Sequence, residues 1–454
     1  MKKLGALLLA LMIGLSAVAS AETVTYVKTP ENVEFYEEMP PALRVTQTLE
    51  IEKVEKDITI RRAYPSSSNA QVDAQIRALV DELVERNRAS LPHAAYDRIA
   101  SLDVGAVISR TGTSWMSFLT QANLAQDREE LGVDFEARVY DMETGERIFL
   151  TDVFAPESEA WEVLAQAVRE QLSAAYPKEE PDAAALDALC SRESLENANF
   201  TLGGARLMLT YRADAVYPGK NTLLHVILYY PQIRPMMTQR AQAQTDNSRF
   251  RMVALTYDDG GARALTRGVL DALRNYGAQA TFFIIGKNIR FNHEYMVRQQ
   301  NSGCSMQSHT YNHYYTQELT VEAIWAEKEK MAEEMSDLIG VAPTMMRAPG
   351  GDERIYIRGE IGYPLIHWSL ASGDSGNPHY QKIAQRVLGN VRDGEVVLMH
   401  DINENVANYT KRIVEDLCNR GFLCVTVEEL FADAGIELVD QAVYYGTYRG
   451  ETVE

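Results

Sequence analysis

The chain has 454 residues, 46% of them hydrophobic, and carries 64 Asp and Glu against 44 Lys and Arg for a formal charge of −20. This apolar content excludes a disordered chain, and the acidic surplus argues against a nucleic acid or an anionic membrane as partner, since phosphate surfaces are held through clustered Lys and Arg. The length exceeds one ordinary core and predicts two domains of roughly 180 to 200 residues each.

Residues 1–21, "MKKLGALLLALMIGLSAVASA", combine two lysines, a short apolar run and a small-residue ending. This describes an export signal, with the mature chain starting near Glu22. The expected location is therefore extracellular or wall-associated, with a membrane tether if the signal stays uncut. Four cysteines (Cys190, Cys304, Cys418, Cys424) permit three full disulfide pairings or free thiols, Cys418 and Cys424 being closest in sequence. Residues 22–43 are acidic and proline-punctuated and read as a stalk.

From 44 to 232 the pattern predicts an α+β accessory domain. "NAQVDAQIRALVDELVERN" places Val72, Ile76, Leu79, Val80, Leu83 and Val84 on one helical stripe behind a candidate cap, Asn69. Val133, Phe135, Ala137 and Val139 alternate with charged residues before a Thr-Gly turn, a half-buried hairpin pattern. Trp161, Leu164, Val168 and Leu172 mark a second helix. Residues 233–250 are polar without a clear apolar period and read as a linker. From 251 to 432 short apolar strands ("MVALTYDD", "ATFFIIG", "CSMQSH", "TMMRAPGG", "LIHWSL", "VVLMHD", "FLCVTV") alternate with amphipathic segments, the mark of a parallel sheet, open or closed into a barrel. Residues 433–454 read as a C-terminal extension.

The chemically loaded residues of this second half end successive strands, the place where parallel barrels assemble active sites. Asp258 and Asp259 are adjacent carboxylates at one strand end, able to divide metal ligation and proton transfer between them. His309 and His313, four apart, can converge on one cation, with Asp259 completing a set of two histidines and a carboxylate. Arg347 in "MRAPGG", Asp374 in "ASGDS" and His400 in "VLMHD" end later strands. Each alone also fits a bland role: a solvated turn, a chance spacing, a surface arginine, a packed histidine.

In this order the motifs DD, HxxxH, RxPxG, a lone Asp and LxH resemble the polysaccharide deacetylase family, also called the NodB-homology domain or carbohydrate esterase family 4, over about residues 250–432. The resemblance implies an α/β fold, a distorted barrel of about seven strands behind a separate α+β domain. It implies a divalent metal, zinc with cobalt or nickel as alternatives, held by Asp259, His309 and His313. Asp258 matches the general base, Arg347 its partner, His400 the general acid and Asp374 the carboxylate orienting it. Leu398 would line the acetyl pocket, the Gly350 amide would help hold the oxyanion, and Tyr311, Tyr314 and Tyr315 would offer sugar-stacking faces. Where the family commonly has DxxDW, Ala371 and Ser375 replace the first Asp and the Trp, which alters the groove wall.

Residues of about 45–232, around "VYDMETGERIFLTDVF", resemble a module of secreted peptidoglycan deacetylases and of lysozyme-sensing anti-sigma factors. The implied activity is removal of N-acetyl groups from an amino-sugar polymer of the cell wall, with a wall component or lysozyme as partner for the first domain. The alternatives are a catalytically inactive wall-binding or sensing protein, or a deacetylase of chitin oligomers, poly-N-acetylglucosamine or acetylxylan.

Overall fold

The computed structural model describes residues 34–447 except 56, 92–98, 128, 261–263, 353–361, 377–378 and 441, so the expected export signal lies outside the described residues. Among the described residues no helix is long and apolar enough to cross a membrane.

The first half builds a six-stranded sheet in the order β1 (Val45–Glu55), β2 (Ile58–Ser67), β3 (Ala100–Thr111), β4 (Trp115–Gln126), β5 (Glu129–Asp141) and β6 (Arg147–Ile148). Only β2 and β3 pair in parallel, because the intervening connection, which includes the helix Ala70–Arg88, carries the chain back across the sheet. Asn69 caps that helix by accepting from the amides of Gln71 and Val72, and the predicted apolar stripe from Val72 to Val84 is buried. Gly145, at φ 77°, makes the turn between β5 and β6. A second sheet, β7 (Phe200–Leu202), β8 (Arg206–Arg212) and β9 (Leu223–Tyr229), packs against the helix Ala160–Ala174 through Trp161, Leu164, Val168 and Leu172.

Two segments behave differently from expectation. Residues 233–250, read as a linker, include the end of the short helix Tyr230–Ile233 and the helix Gln239–Gln244, and bury Ile233, Met237 and Ala241 in the core of the first half. They come from two short helices and the extended residue between them, so no helical period marks them in the sequence. At the described end of the expected stalk, Met39 and Leu43 are buried, and the Met39 amide donates to the Asn419 carbonyl at 3.0 Å.

The second half is a parallel array: β10 (Arg251–Asp259), β11 (Thr281–Ile284), β12 (Ser305–Ser308), β13 (Leu365–Ile366), β14 (Leu370–Ala371), β15 (Glu395–His400), β16 (Phe422–Val425) and β17 (Val443–Tyr444). One edge of β10 pairs with β16 over Arg251–Ala254 and with β11 over Thr256–Asp259, while its other edge pairs with β15. From β11 the pairing passes to β12, through Met346 to β13, and on to β17. An antiparallel bridge between Gly446 and Glu395 returns it to β15 and closes a distorted barrel. Part of the expected C-terminal extension is thus a stave of the barrel, anchored by buried Tyr444.

The halves are joined by a buried ion network. Asp103 on β3 accepts from Arg298 and Arg267 at 2.8 Å each, and Arg298 also reaches Glu130 at 3.4 Å and Glu294 at 3.1 Å. Burial disfavours the Asp103 charge, but Arg298, Arg274, Arg267 and Arg61 outweigh it and hold the carboxyl far below its ordinary range. The helix His293–Asn301 is buried from Glu294 to Asn301. The first half satisfies its last turn: Asn301 Nδ2 donates to Asn123 at 3.0 Å, His225 Nε2 meets the Gln300 carbonyl at 2.7 Å, and Arg206 donates to the Gly303 carbonyl at 2.7 Å. This helix leads into β12, so the accessory sheets brace the strand that ends at the first candidate histidine. Removing Asp103 strands several buried arginines, and Asp103→Ala is expected to cost about 3 kcal/mol or more. Scanning calorimetry should show a lowered Tm, whereas Glu38→Ala, at the exposed pair with Arg44, should leave it nearly unchanged.

Candidate active site

The barrel's pairing brings the candidate residues together. Register across β10 and β15 places Asp258 directly beside His400, and Asp259 follows where β10 ends. The His309 amide donates to the Ile284 carbonyl at 2.9 Å, which sets His309 just past β12 on the same rim.

Asp259, His309 and His313 each present one ligand atom, all within 4.8 Å of one another. Asp259 Oδ1 lies 3.8 Å from His309 Nε2 and 3.5 Å from His313 Nε2. His309 Nδ1 meets the Arg347 carbonyl at 2.8 Å, which places the proton there and leaves the Nε2 lone pair facing the carboxylate. Two imidazole nitrogens and one carboxylate oxygen are the donor set of a divalent ion such as zinc, with a coordination position left for water or substrate, so the residues fit the implied metal. Backbone strain accompanies the convergence: Asp259, Thr310 and His313 have φ of 80°, 62° and 64°, a region that costs non-glycine residues roughly 1 kcal/mol each. Packing and the Thr310 hydroxyl, which accepts from the His313 amide at 3.0 Å, hold this loop in shape.

Beside the triad, Arg347 is 1% exposed at its side chain and donates to Asp258 Oδ1 at 2.7 Å. Its other donors reach Thr256 Oγ1 and the carbonyls of Ile366 and His367 at 2.8 to 3.1 Å, so the guanidinium is locked and can carry only one role. His400 Nδ1 bonds Asp374 Oδ1 at 2.8 Å, and the His400 amide donates to Asp374 Oδ2 at 2.7 Å. Burial alone would lower the His400 pKa, but this bond and the charges of Asp374, Asp258 and Asp259 push it up to about 9. These contacts favour the protonated imidazole. Asp374→Asn removes the main support of that charge. Because the raised group is active below its pKa and lost above it, the alkaline limb of a pH–rate profile should move about one unit or more toward neutrality in this variant.

The remaining expected residues divide. Leu398, on β15 two residues before His400, shares its face and is 9% exposed. Gly350 takes φ 70°, and a Cβ there would lie 2.7 Å from the Tyr315 ring, so glycine is needed for the close approach. Tyr311 is not a stacking surface: it is 5% exposed, its hydroxyl donates to Glu334 at 2.7 Å, and Lys330 sits 4.1 Å above its ring. Tyr314 and Tyr315 stay about half exposed. The sequence offered no sign of Tyr409, whose hydroxyl donates to Asp374 Oδ2 at 2.7 Å and contacts the His400 carbonyl at 3.0 Å, because it sits in an ordinary helical stripe. The four cysteines are free thiols, three of them buried.

Comparison with known proteins agrees with this geometry. A polysaccharide deacetylase family model matches residues 245–361. The peptidoglycan-N-acetylglucosamine deacetylase PgdA of Listeria monocytogenes serotype 1/2a (strain 10403S) is 32% identical over 181 residues, which is 40% of this chain and 39% of that protein. This chain thus spans about two fifths of the length of that relative. A peptidoglycan-N-acetylglucosamine deacetylase of Bacillus cereus (strain ATCC 14579) is 34% identical over 197 residues, covering 40% of this chain and 88% of the relative. Among solved structures, one described as T48 deacetylase with substrate is 32% identical, with a TM-score of 0.42, covering 44% of this chain and 98% of its own. Ordered motifs, their convergence on one rim and near-complete coverage of the Bacillus relative lead to one conclusion: the chain belongs to the polysaccharide deacetylase family.

Proposed function

We propose that the protein is an exported, divalent-metal-dependent N-deacetylase of cell-wall glycan, with peptidoglycan as its substrate. The observation that carries this is the meeting on one rim of a two-histidine, one-aspartate triad with Asp258, bonded to Arg347, and His400, bonded to Asp374. The names of the Listeria and Bacillus relatives support the choice of polymer.

Asp259, His309 and His313 would hold a divalent ion, which would supply Lewis-acid activation of the acetyl carbonyl and of water. Asp258, within 3.8 Å of His309, takes the proton from that water as it attacks. His400 then donates its Nε2 proton to the departing amine, while Asp374 and Tyr409 keep the imidazole aimed. The products are acetate and a free amine on the sugar. The Gly350 amide and Leu398 are the proposed contacts for the carbonyl oxygen and the acetyl methyl. Retention of the full base–acid pair favours turnover over a purely binding or sensing role.

The test is acetate release by the zinc-loaded protein from purified peptidoglycan, chitin oligomers and acetylated xylan. Release from peptidoglycan at least tenfold faster than from xylan is the expected result. No release from any of the three would reject the proposal.

A further inference from the structure

The site also carries a feature that the deacetylation chemistry does not use. The six-residue turn Gly286–Phe291, which follows β11, stands beside the metal triad and is bound rigidly to it. Asn288 Nδ2 donates to the carbonyls of Asp259 at 3.2 Å and Gly260 at 3.0 Å. The amides of Gly286 and Lys287 donate to the carbonyls of Thr310 and Tyr311 at 3.0 and 2.9 Å. Lys287 Nζ reaches the carbonyl of Asn312, the residue before His313, at 2.9 Å. Asn312 is in turn clamped by Glu327, which accepts from its amide at 2.6 Å and from its side chain at 2.5 Å.

On this fixed turn Lys287, Arg290 and Phe291 are exposed. Neither cation pairs with a carboxylate among the described residues: Lys287 contacts a carbonyl, and Arg290 lies 4.7 Å from the centre of the Phe291 ring. In a chain with 20 more acidic than basic residues, two unpaired cations on one preorganised rim turn are a surplus that solubility does not require. An ammonium with one bond to a carbonyl keeps two donors for a ligand.

On the opposite flank the described residues are small. In the sheet order β12-β11-β10-β15-β14, the Lys287 turn and the segment after β14 stand on either side of Asp258 and His400. That far edge presents exposed Ala371 at the end of β14 and, after it, exposed Ser375 and Gly376. A sugar reacting beside Asp258 and His400 therefore has the two cations of this turn along one flank.

We propose that Lys287 and Arg290 form a ledge that recognises a carboxylate on the substituent next to the reacting acetamide, making an acidic, branched amino sugar the preferred substrate. In a wall glycan that carboxylate is supplied either by the lactyl ether of a muramyl unit or by a stem peptide attached to it. The inference rests on the wall-glycan function proposed above and narrows its substrate class.

The test compares the zinc-loaded wild type with Lys287→Gln, Arg290→Gln and the double variant on three substrates: glycan with stem peptides, glycan stripped of them, and a chitin oligomer. Each single variant is expected to lower kcat/KM about fivefold on acidic glycan, and the double about twentyfold, through KM with kcat retained. The chitin oligomer should change less than twofold. Stem attachment turns the lactyl carboxyl into an amide, so loss only on the peptide-bearing glycan assigns the stem carboxylate, loss only on the stripped glycan assigns the lactyl carboxylate, and loss on both shows that the ledge accepts either. Equal loss on the chitin oligomer, or no loss on either acidic glycan, overturns the ledge. Binding of the same three ligands to Asp258→Asn, with and without the ledge substitutions, reads the preference without turnover. If no substrate is deacetylated, the catalytic proposal falls while this binding comparison still decides the ledge.

Discussion

Asp258→Asn is expected to lower acetate release about a thousandfold or more, because a carboxamide of the same shape cannot accept the proton of the attacking water. The substitution leaves Asp259, His309 and His313 in place, so metal content should stay near one ion per chain. The variant retains an oxygen that can accept from Arg347, but the guanidinium, already 1% exposed, loses the charge that balances it. A buried cation without its counter-charge costs stability, so a lower Tm should accompany the lost activity. Arg347→Lys separates these effects: a lysine cannot also serve Thr256 and the carbonyls of Ile366 and His367, so the base is kept but loosely held. Its activity should fall between wild type and Asp258→Asn. Acetate release within tenfold of wild type in Asp258→Asn, with metal bound, would show that the proton goes elsewhere.

Much of this arrangement is legible in the linear chain for a physical reason. Parallel barrel strands are short apolar runs, and polar residues that end them can only stand on one rim, so Asp258, His309, Arg347, Asp374 and His400 announce a shared place before any contact is known. What the chain hides is whatever depends on three-dimensional packing. The segment carrying Ile233, Met237 and Ala241 looks polar until its neighbours across the first half are in place. The Val443–Tyr444 stave is too short to stand out as a strand and gains its meaning from pairing with Leu365–Ile366. Tyr311 shares the sequence neighbourhood of Tyr314 and Tyr315 but turns inward onto Glu334 and Lys330. The left-handed backbone at Asp259 and His313 has no clear residue signature, since aspartate and histidine tolerate it better than most non-glycine residues yet adopt it at few of their positions.

The buried network around Asp103 gives the first half a part in positioning His309 that no motif suggests. Water would otherwise solvate the outer face of the helix His293–Asn301, and its Arg298, Gln300 and Asn301 would be free to seek other partners. With the accessory sheets in place, these groups are satisfied from one direction only, which restricts how the following strand, and His309 at its end, can shift. The strained loop from Thr310 to His313 needs such an anchor, because strain persists only where surrounding structure over-determines it.

His309→Ala is accordingly the ligand substitution expected to have the larger effect. His309 is buried and held at Nδ1 by the Arg347 carbonyl, with Nε2 facing Asp259, whereas the His313 side chain is 35% exposed. Removing His309 deletes one of three ligands and also leaves the Arg347 carbonyl without its partner, beside the guanidinium that holds the base. Zinc measured after dialysis against a weak chelator should fall from about one ion per chain to near zero, and acetate release should drop about a thousandfold or more. His313→Ala keeps the better-ordered imidazole, so activity should return in part at high zinc concentration, which His309→Ala should not allow. Titration of each variant with zinc, following both metal content and acetate release, distinguishes these outcomes. A His309→Ala protein that keeps one tightly bound zinc would place the ion outside the triad and remove the basis for assigning Asp258 and His400 their proton transfers.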